Sequence, residues 1–327
     1  MKKLFSLLLA CVMLLSCASA LAAPERTLKL ATDAALDYVT TKALVRFADR
    51  VNELTEGRIQ VDIYESSILG DEVSYMEQLQ LGTVDIAKLS IGTISGLYED
   101  MQVFSLPFMF KNGDEMWTVL ESEIGDRILN GLNAYNIQGI GFTDNGSRCF
   151  YTVKPIETIK DFENRVIRVQ QNNLMISMIE CLGGNPVNVA ATELYSALQT
   201  GVCEGGENNL PIILSESYYE VAPYVTLDNH TTGMDTICMN LDLWNELGAE
   251  DQAIIMQAME EATAYDREIW NASVEESKQK LVDAGAIINE LDNAVLDSLR
   301  EAMAPIYEEY SVKYGDWIDT MNKVLGR

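Results

Sequence analysis

The sequence predicts an α/β fold in two lobes that share one long helix. Short apolar runs with period two alternate with longer runs in which apolar residues recur at spacings of three and four, so strands alternate with helices. This order favours a mainly parallel sheet with helices on both faces. The 327 residues are 48% hydrophobic, enough for a large core in two lobes. From residue 250 to about 284 the pattern is helical without glycine or proline, and such a helix would extend roughly 50 Å.

The elements are predicted in the following order. Strands are expected at 27–31, 59–64, 84–87, 136–142, 149–153, around Arg168, at 202–203 and at 236–240. Helices are expected at 39–55, 72–81, 116–132, 174–182 and 192–200, the last with Thr192 as N-cap and Gly201 as its stop. Ligands in such sheets usually lie at the carboxyl ends of strands.

The lobe boundaries follow from these strands. We expect the strand at 136–142 to end near residues 143–144, where the chain first crosses to the second lobe, and the strand at 236–240 to carry it back. Lobe I then comprises 24–145 with 233–272. Lobe II comprises 146–232 with 273–327.

The first 22 residues are predicted to be an export signal, because two lysines precede an apolar run too short for a stable membrane anchor. Two processing schemes compete. Leu14-Leu15-Ser16-Cys17 resembles a bacterial lipoprotein box, in which the signal ends at Ser16 and Cys17 is lipidated. Cleavage after Ala22 would instead release a free protein. Both schemes place the protein outside the cytoplasm.

The composition excludes several classes of protein. The formal net charge is −27, and it becomes −29 once Lys2 and Lys3 leave with the signal, which argues against binding to nucleic acid or to anionic lipid. The remaining cysteines are sparse and in apolar settings, so we expect free thiols. No CxxC or His/Cys metal spacing occurs, and we expect neither a metal nor a cofactor.

Arg168 is the first candidate binding residue. It lies in a short apolar strand, on the same face as Gln170, and a guanidinium stays charged at any working pH. An arginine buried in this way needs an anion, which is either an acid of the chain or a ligand. A second arginine, Arg148, follows an Asn-Gly turn, and Asn208 supplies an amide nearby in the strand order. Two guanidinium groups and an amide suit a ligand carboxylate.

Seven short motifs then occur in one order over nearly the whole mature chain. They are LGDE at 69–72, GTVD at 82–85, LPF at 106–108, NGSR at 145–148, RVQ at 168–170, LYSALQTG at 194–201 and ENN at 207–209. Together they resemble the extracytoplasmic solute receptors of TRAP (tripartite ATP-independent periplasmic) transporters. The resemblance implies a two-lobed fold like that of type II periplasmic binding proteins, braced by a long helix. It also implies a receptor that closes on an organic acid and delivers it to a membrane permease driven by an ion gradient.

The resemblance also implies roles for individual residues. Arg168 would hold the substrate carboxylate with both guanidinium arms, Arg148 would assist, and Asn208 would close the carboxylate site. From the other lobe, Glu72 and Asp33 resemble polar ligand contacts. As carboxylates they would repel a second acid group and accept hydrogen bonds from hydroxyls, which favours a hydroxylated monocarboxylate.

The same resemblance narrows the ligand. Some sialic-acid receptors of the family carry an aromatic residue at the position of Ala191, so its absence argues against sialate. The runs at 168–170, 207–209 and 228–231 resemble receptors for hexuronates such as glucuronate or galacturonate. His230, the only histidine, would either bond a sugar hydroxyl or be satisfied within a loop.

Structural alternatives remain for these residues. Arg148 would pair with a surface acid, Glu72 would cap its helix, and Asn208 would only end a strand. Alternatives for the whole protein are a receptor for a C4-dicarboxylate or another sugar acid, an adaptor for a membrane sensor, and a secreted sugar-acid enzyme. No Gly-x-Ser-x-Gly, His-Glu-x-x-His or phosphate-loop motif supports the enzyme. We therefore expect a non-enzymatic, monomeric receptor whose partners are a small carboxylate and the permease subunits.

Overall fold

A computed structural model describes residues 23–327. The predicted export signal, both processing sites and Cys17 lie outside the described residues. Within the described part, no helix combines the length and the apolarity needed to cross a membrane. The cysteines at 149, 181, 203 and 238 are free thiols, as predicted.

Helices cover both faces of one mixed sheet, so the predicted α/β class is confirmed. The strands of the described chain are β1 Arg26–Ala31, β2 Ile59–Tyr64, β3 Ile86–Ser90, β4 Ile137–Thr152, β5 Val166–Val169, β6 Asn185–Asn188, β7 Gly205–Asn208, β8 Tyr224–Asn240 and β9 Ile287–Glu290. Their spatial order is β2-β1-β3-β8-β4-β7-β5-β6, and β9 pairs with β8. The pairs of β1 with β2 and β3, of β5 with β6 and β7, and of β8 with β9 are parallel.

The α-helices of the described chain connect these strands. They are α1 Val39–Leu54, α2 Glu72–Gln80, α3 Ile91–Ile94, α4 Gly113–Leu120, α5 Glu123–Gly131, α6 Asn173–Cys181, α7 Ala191–Gln199, α8 Leu210–Ser215, α9 Leu241–Glu246, α10 Ala249–Asp283, α11 Asn293–Ala302 and α12 Ala304–Val324. Short 3₁₀ helices lie at Glu99–Ser105, Leu132–Tyr135, Ile159–Phe162 and Tyr218–Glu220.

Two long central strands, β4 and β8, run antiparallel to each other in the middle of the sheet. The prediction that the first of them ends near residues 143–144 is wrong. The polar run beyond that point stays extended because it pairs with β8, for example Thr143 with Asp235. Asn145-Gly146 is typical of a turn, but here Gly146, at φ +62°, lies in an irregularity of the strand. One strand therefore replaces the two predicted at 136–142 and 149–153.

The predicted long helix is confirmed as α10, which has 35 residues. It packs on α1 and β4 through buried side chains such as Ile255, Met259 and Trp270. Its carboxylate Asp266 is fully buried and accepts a hydrogen bond from the backbone N–H of Asp144 at 2.6 Å. Thus the helix is tied to the irregular centre of β4.

Other local predictions need correction. The single helix predicted at 116–132 is two helices, because the Ser122 hydroxyl accepts a bond from the Ile124 N–H and starts α5 there. Thr192 is not an N-cap, since α7 begins at Ala191. The strand predicted at 202–203 lies instead at 205–208, so Asn208 is the last residue of β7 and Asn209 is the N-cap of α8.

The division into two lobes at the stated boundaries stays a prediction. The predicted lobe II includes the final helix, α12, but in the structure this helix contacts elements of the predicted lobe I. Lys313 pairs with Glu99, and the Tyr310 hydroxyl donates to Gln102.

The contact between Gly146 and the long helix predicts a destabilising substitution. A β-carbon at Gly146 would lie 2.6 to 2.9 Å from atoms of the Trp270 ring, and the backbone there has positive φ. Gly146→Ala should lower the free energy of unfolding by at least about 2 kcal/mol in urea titrations followed by circular dichroism.

A second glycine provides the control. Gly315 lies in α12, next to the kink at Tyr314, with no atom within 4 Å of an added β-carbon, so Gly315→Ala should change the free energy of unfolding by less than about 1 kcal/mol. Equal stability of Gly146→Ala and the unaltered protein would contradict the proposed packing of strand against helix.

Candidate functional site

A cavity of about 230 Å³ lies between the two halves of the sheet. Its lining comes from strands and from the segments that follow them. The lining residues include Asp33, Glu72, Lys88, Arg148, Arg168, Gln170, Asn208 and Asp235. The cavity thus collects six of the seven binding residues predicted from the sequence, as well as Lys88 and Asp235, which the sequence did not single out.

Arg168 is the cation of one wall. It lies on β5, between β6 and β7, and is only 5% exposed. Its Nε donates to the carbonyl of Val189 at 2.8 Å, and its terminal nitrogens have no hydrogen-bond partner and no ion pair among residues 23–327. The backbone carbonyl does not neutralise the charge, so this guanidinium presents two unused donor groups beside the cavity.

Arg148 has a protein partner. It forms a buried ion pair with Glu207, in which Nε and Nη2 donate to the two carboxylate oxygens, and Nη2 also donates to the Glu207 carbonyl at 2.8 Å. Burial raises the pKa of Glu207, but Arg148 and His230 outweigh it and lower that pKa to about 2. The partner of Arg148 is thus a buried acid on the neighbouring strand and not the surface acid of the structural alternative, and the Arg148 side chain also lines the cavity.

Asn208 contacts one of the two arginines, Arg148. The pairing of β4 with β7 places it near Arg148, whose Nη1 donates to the Asn208 Oδ1 at 3.1 Å. The same oxygen accepts from the backbone N–H of Asn209 at 2.9 Å. With its oxygen occupied, Asn208 has its Nδ2 left as a donor, and this nitrogen makes no hydrogen bond within the described chain.

His230 is the one predicted site residue that does not line the cavity. It is buried on β8 and stacks on Phe150, with ring centroids 4.4 Å apart. Its Nδ1 lies 2.8 Å from Asp228, and its Nε2 lies 3.6 Å from the Oε2 of Glu207. The ring therefore lies behind Glu207 and helps to position that acid, and a direct contact with ligand does not follow from its placement.

The opposite wall is built around a lysine. The Nζ of Lys88 lies 2.6 Å from Asp33, 3.2 Å from Glu72 and 3.6 Å from Asp235. We call these four residues the lysine-centred wall. Burial lowers the pKa of Lys88, but the three carboxylates, Asp235 first, raise it well above its ordinary value. Burial also raises the pKa of Asp235, to about 6.

Glu72 lies at the first position of α2, where Asp71 is the N-cap. Glu72 itself accepts from Ser90, through both the backbone N–H at 2.9 Å and the hydroxyl at 2.5 Å, and from the hydroxyl of Thr93 at 2.5 Å. Burial raises its pKa, but Lys88 and these donors outweigh it, so the pKa is lowered. Gln170 reaches across the cavity and donates to the Ser90 hydroxyl at 3.2 Å.

The carboxylates of the lysine-centred wall do not form a metal site. The ammonium of Lys88 occupies the space between them, and the described residues contain no group of three or more histidine, cysteine, aspartate or glutamate side chains placed to hold a metal ion.

A ligand-sized cavity between one wall with unused cationic donors and another rich in acceptors defines a binding protein for a small anionic solute. The family model for the bacterial extracellular solute-binding proteins, family 7, matches residues 30–313. The chain belongs to this family and is a solute receptor of the TRAP type.

Solved TRAP periplasmic solute-binding proteins share the fold. One from Chromohalobacter salexigens DSM 3043, with bound D-glucuronate, is 34% identical, with a TM-score of 0.87 over 91% of this chain and 98% of that chain. One from Xanthobacter autotrophicus Py2, with bound β-D-galacturonate, is 30% identical, with a TM-score of 0.86 over 90% and 98%. One from Sulfurospirillum deleyianum DSM 6946, with bound succinate, is 28% identical, with a TM-score of 0.87 over 92% and 99%. The family and the two-lobed fold predicted from the sequence are confirmed.

The buried histidine predicts an unusual titration. Burial lowers the pKa of His230, but Asp228 and Glu207 outweigh it and raise the pKa to about 9. The chain has a single histidine, so an untagged protein should give one imidazole signal in NMR spectra, and that signal should titrate near pH 9. A midpoint near 6.5 would contradict the contact with the two acids.

The same shift predicts a loss of stability with rising pH. A pKa raised in the folded protein stabilises it fully below the unfolded value of about 6.5, and this stabilisation is lost as the pH rises toward 9. Between pH 6.5 and 8.5 the unfolding free energy should fall by about 2 kcal/mol more in the unaltered protein than in His230→Gln. Urea titrations at several pH values measure this difference.

Proposed function

We propose that this receptor binds a hexuronate, D-glucuronate or D-galacturonate, with the carboxylate on Arg168. The observation that carries the proposal is the buried guanidinium whose terminal nitrogens have no acid partner in the described chain and border the cavity. A bidentate contact with a ligand carboxylate would satisfy both nitrogens. The Nδ2 of Asn208 would add a third donor, and Arg148 would contribute positive charge from behind it.

The remaining volume suits a sugar ring. Beyond the arginines the cavity is lined by hydroxyls and carboxylates, among them Ser66, Ser67 and Asp33, which can exchange hydrogen bonds with ring hydroxyls. Two of the solved relatives hold hexuronates, and these sugars carry one carboxylate and several hydroxyls. The relative with succinate supports a C4-dicarboxylate as the second candidate.

Binding would favour a closed state of the two proposed lobes. Gln170 already contacts Ser90 across the cavity, and Asn172 donates to the Ser95 hydroxyl at 2.7 Å and to the Gly92 carbonyl at 3.3 Å. A ligand held by both walls adds contacts that exist only when the walls face each other, so it shifts the population toward closure. The proposed lobes are 24–145 with 233–272 and 146–232 with 273–327.

We place the receptor outside the cytoplasm, in the periplasm or at the outer face of the cytoplasmic membrane, where it would deliver its ligand to the permease subunits of a TRAP transporter as a monomer. The export signal at 1–22 supports this location. Lipidation of Cys17 remains one proposal for its attachment, and cleavage after Ala22 the alternative.

Substitution of Arg168 tests the carboxylate contact. Arg168→Ala should weaken hexuronate binding by about 2 to 5 kcal/mol, or roughly 30- to 5,000-fold, because it removes the charged donors from a buried site. Arg168→Lys should bind with intermediate affinity, since lysine keeps the charge but loses the two-armed geometry. Isothermal titration calorimetry with D-glucuronate and D-galacturonate measures both effects.

Arg300→Ala is the matched control. Arg300 is exposed on α11 and pairs with Asp297 of the same helix. Its replacement by alanine changes the net charge of the protein by the same amount as Arg168→Ala, without touching the cavity. Its affinity should stay within about twofold of the unaltered protein. Unchanged binding in both Arg168 variants would refute the proposed role of this guanidinium.

The receptor should bind its ligand without converting it. Hexuronate at 100 times its dissociation constant should stabilise the protein by about 2.7 kcal/mol, seen as a rise in melting temperature. NMR spectra of the same sugar after prolonged incubation with the protein should show no product. Catalytic turnover would favour the secreted sugar-acid enzyme instead. Binding without turnover by a protein whose gene has no adjacent permease reading frames would favour the sensor adaptor.

A further inference from the structure

We infer that the lysine-centred wall makes this receptor selective for ligands whose second end is a hydrogen-bond donor without negative charge, and that it rejects dicarboxylates. The inference rests on the proposed function in one respect, since it takes the first carboxylate to be held by Arg168. It identifies Lys88 and Asp235 as specificity-determining residues, in addition to Asp33 and Glu72.

The lysine of this wall is not available to a ligand anion. An ammonium has three N–H donors, and the Nζ of Lys88 has three carboxylates around it at 2.6, 3.2 and 3.6 Å. The side chain is 5% exposed, so it cannot turn outward without leaving those acids. A cation that would otherwise attract a second carboxylate is thus used within the protein.

Glu72 contributes charge and no open binding position. Its oxygens accept from Lys88, from the backbone N–H and hydroxyl of Ser90, and from the hydroxyl of Thr93. These bonds also direct the Ser90 and Thr93 hydrogens toward the carboxylate and away from the ligand. The two hydroxyls are therefore not donors for a second acid group.

Asp33 is the acceptor that remains. Asp235 is 1% exposed, and its Oδ1 accepts from the Nδ2 of Asn145 at 2.6 Å. Its Oδ2, 3.6 Å from the Nζ of Lys88, is buried and has no hydrogen-bond partner in the described chain, so Asp235 contributes charge to the wall and no open acceptor. The Asp33 side chain is 25% exposed and keeps an oxygen beyond the one nearest Lys88. A ligand hydroxyl or ammonium can donate to this oxygen, whereas a carboxylate cannot.

The charge balance of the wall gives the direction of selectivity. Three carboxylates and one ammonium carry a formal charge of −2, and the described chain places no other cation in ion-pair contact with these acids. A second ligand carboxylate within about 5 Å of this charge in a partly buried site would be repelled by several kcal/mol. Part of this repulsion is relieved by proton uptake, so we expect a discrimination of roughly 100-fold or more.

Matched pairs of ligands test the inference in the unaltered protein. D-Glucuronate and D-glucarate differ in oxidation state at C1, which is a ring-closing hemiacetal in the first and a carboxylate on an open chain in the second. 4-Hydroxybutyrate and succinate are both open chains and differ only in a terminal hydroxymethyl group that replaces the second carboxylate. Calorimetry at pH 7.5 should give at least about 100-fold weaker binding for the dicarboxylate of the sugar pair, and weaker binding of succinate than of 4-hydroxybutyrate. If the dicarboxylate of either pair bound as tightly as the monocarboxylate of that pair, or more tightly, the inference would be overturned.

Charge-neutralising variants test which residues are responsible. Glu72→Gln with Asp235→Asn changes the formal charge of the wall from −2 to 0 and keeps side chains of nearly the same shape. The ratio of the glucarate and glucuronate dissociation constants should narrow at least tenfold, whatever happens to each affinity. The melting temperature without ligand shows whether the double variant is folded, and the single variants serve if it is not. A ratio that stays the same in folded variants would overturn the assignment to this wall.

The same measurements separate the inference from the proposed function. If no hexuronate binds, the proposed function fails, and the 4-hydroxybutyrate and succinate pair still decides the selectivity. If D-glucuronate and D-glucarate bind equally, the inference fails and the hexuronate proposal stands. Binding of none of the four ligands would contradict both.

Discussion

The site depends on two buried arginines of which only one, Arg148, has an acid of the described chain as its partner. Glu207 lies on β7 and is used by Arg148, with His230 behind it. Arg168, on the other side of β7, has only the carbonyl of Val189. A buried charge without a partner is costly, and a single protein carboxylate beside Arg168 would remove that cost. The Arg168 guanidinium has no such partner among the described residues, so the unfavourable free energy of its burial remains, and a carboxylate from a bound ligand could reduce it.

Each wall of the cavity contains a buried cation, and the two cations differ in whether acids of the chain surround them. Lys88 is surrounded by three acids of the chain, which suits a compact ammonium with three donors. Arg168 has no such acids, which suits a planar guanidinium that can hold one carboxylate by two parallel bonds. The cavity is therefore polarised, with unused donors at one end and an excess of carboxylates at the other, and under the proposed function this polarity would orient an asymmetric ligand.

Local rules predict part of this arrangement and long-range pairing determines the rest. A charged residue inside an apolar strand signals a buried cation, and this rule points to Arg168 and equally to Lys88, between Ala87 and Leu89. The partners of Lys88 are not visible in the sequence, because Asp235 reaches it only through the antiparallel register in which Ser90 opposes Asp235. The course of β4 was mispredicted for the same reason: Asn-Gly typically forms a turn in isolation, whereas pairing with β8 keeps it extended.

The pair of β4 and β8 joins the binding site to the long helix. Arg148 and Asn145 come from β4 and Asp235 from β8, so both walls of the cavity depend on this one ladder. The ladder is irregular between positions 144 and 146, where Gly146 packs against Trp270 of α10. A change in the angle between the walls must be absorbed at such irregular positions, because regular pairing resists bending. Since the contact between Gly146 and Trp270 lies at the same point, a change in the spacing of the two walls there would also disturb the packing of the long helix.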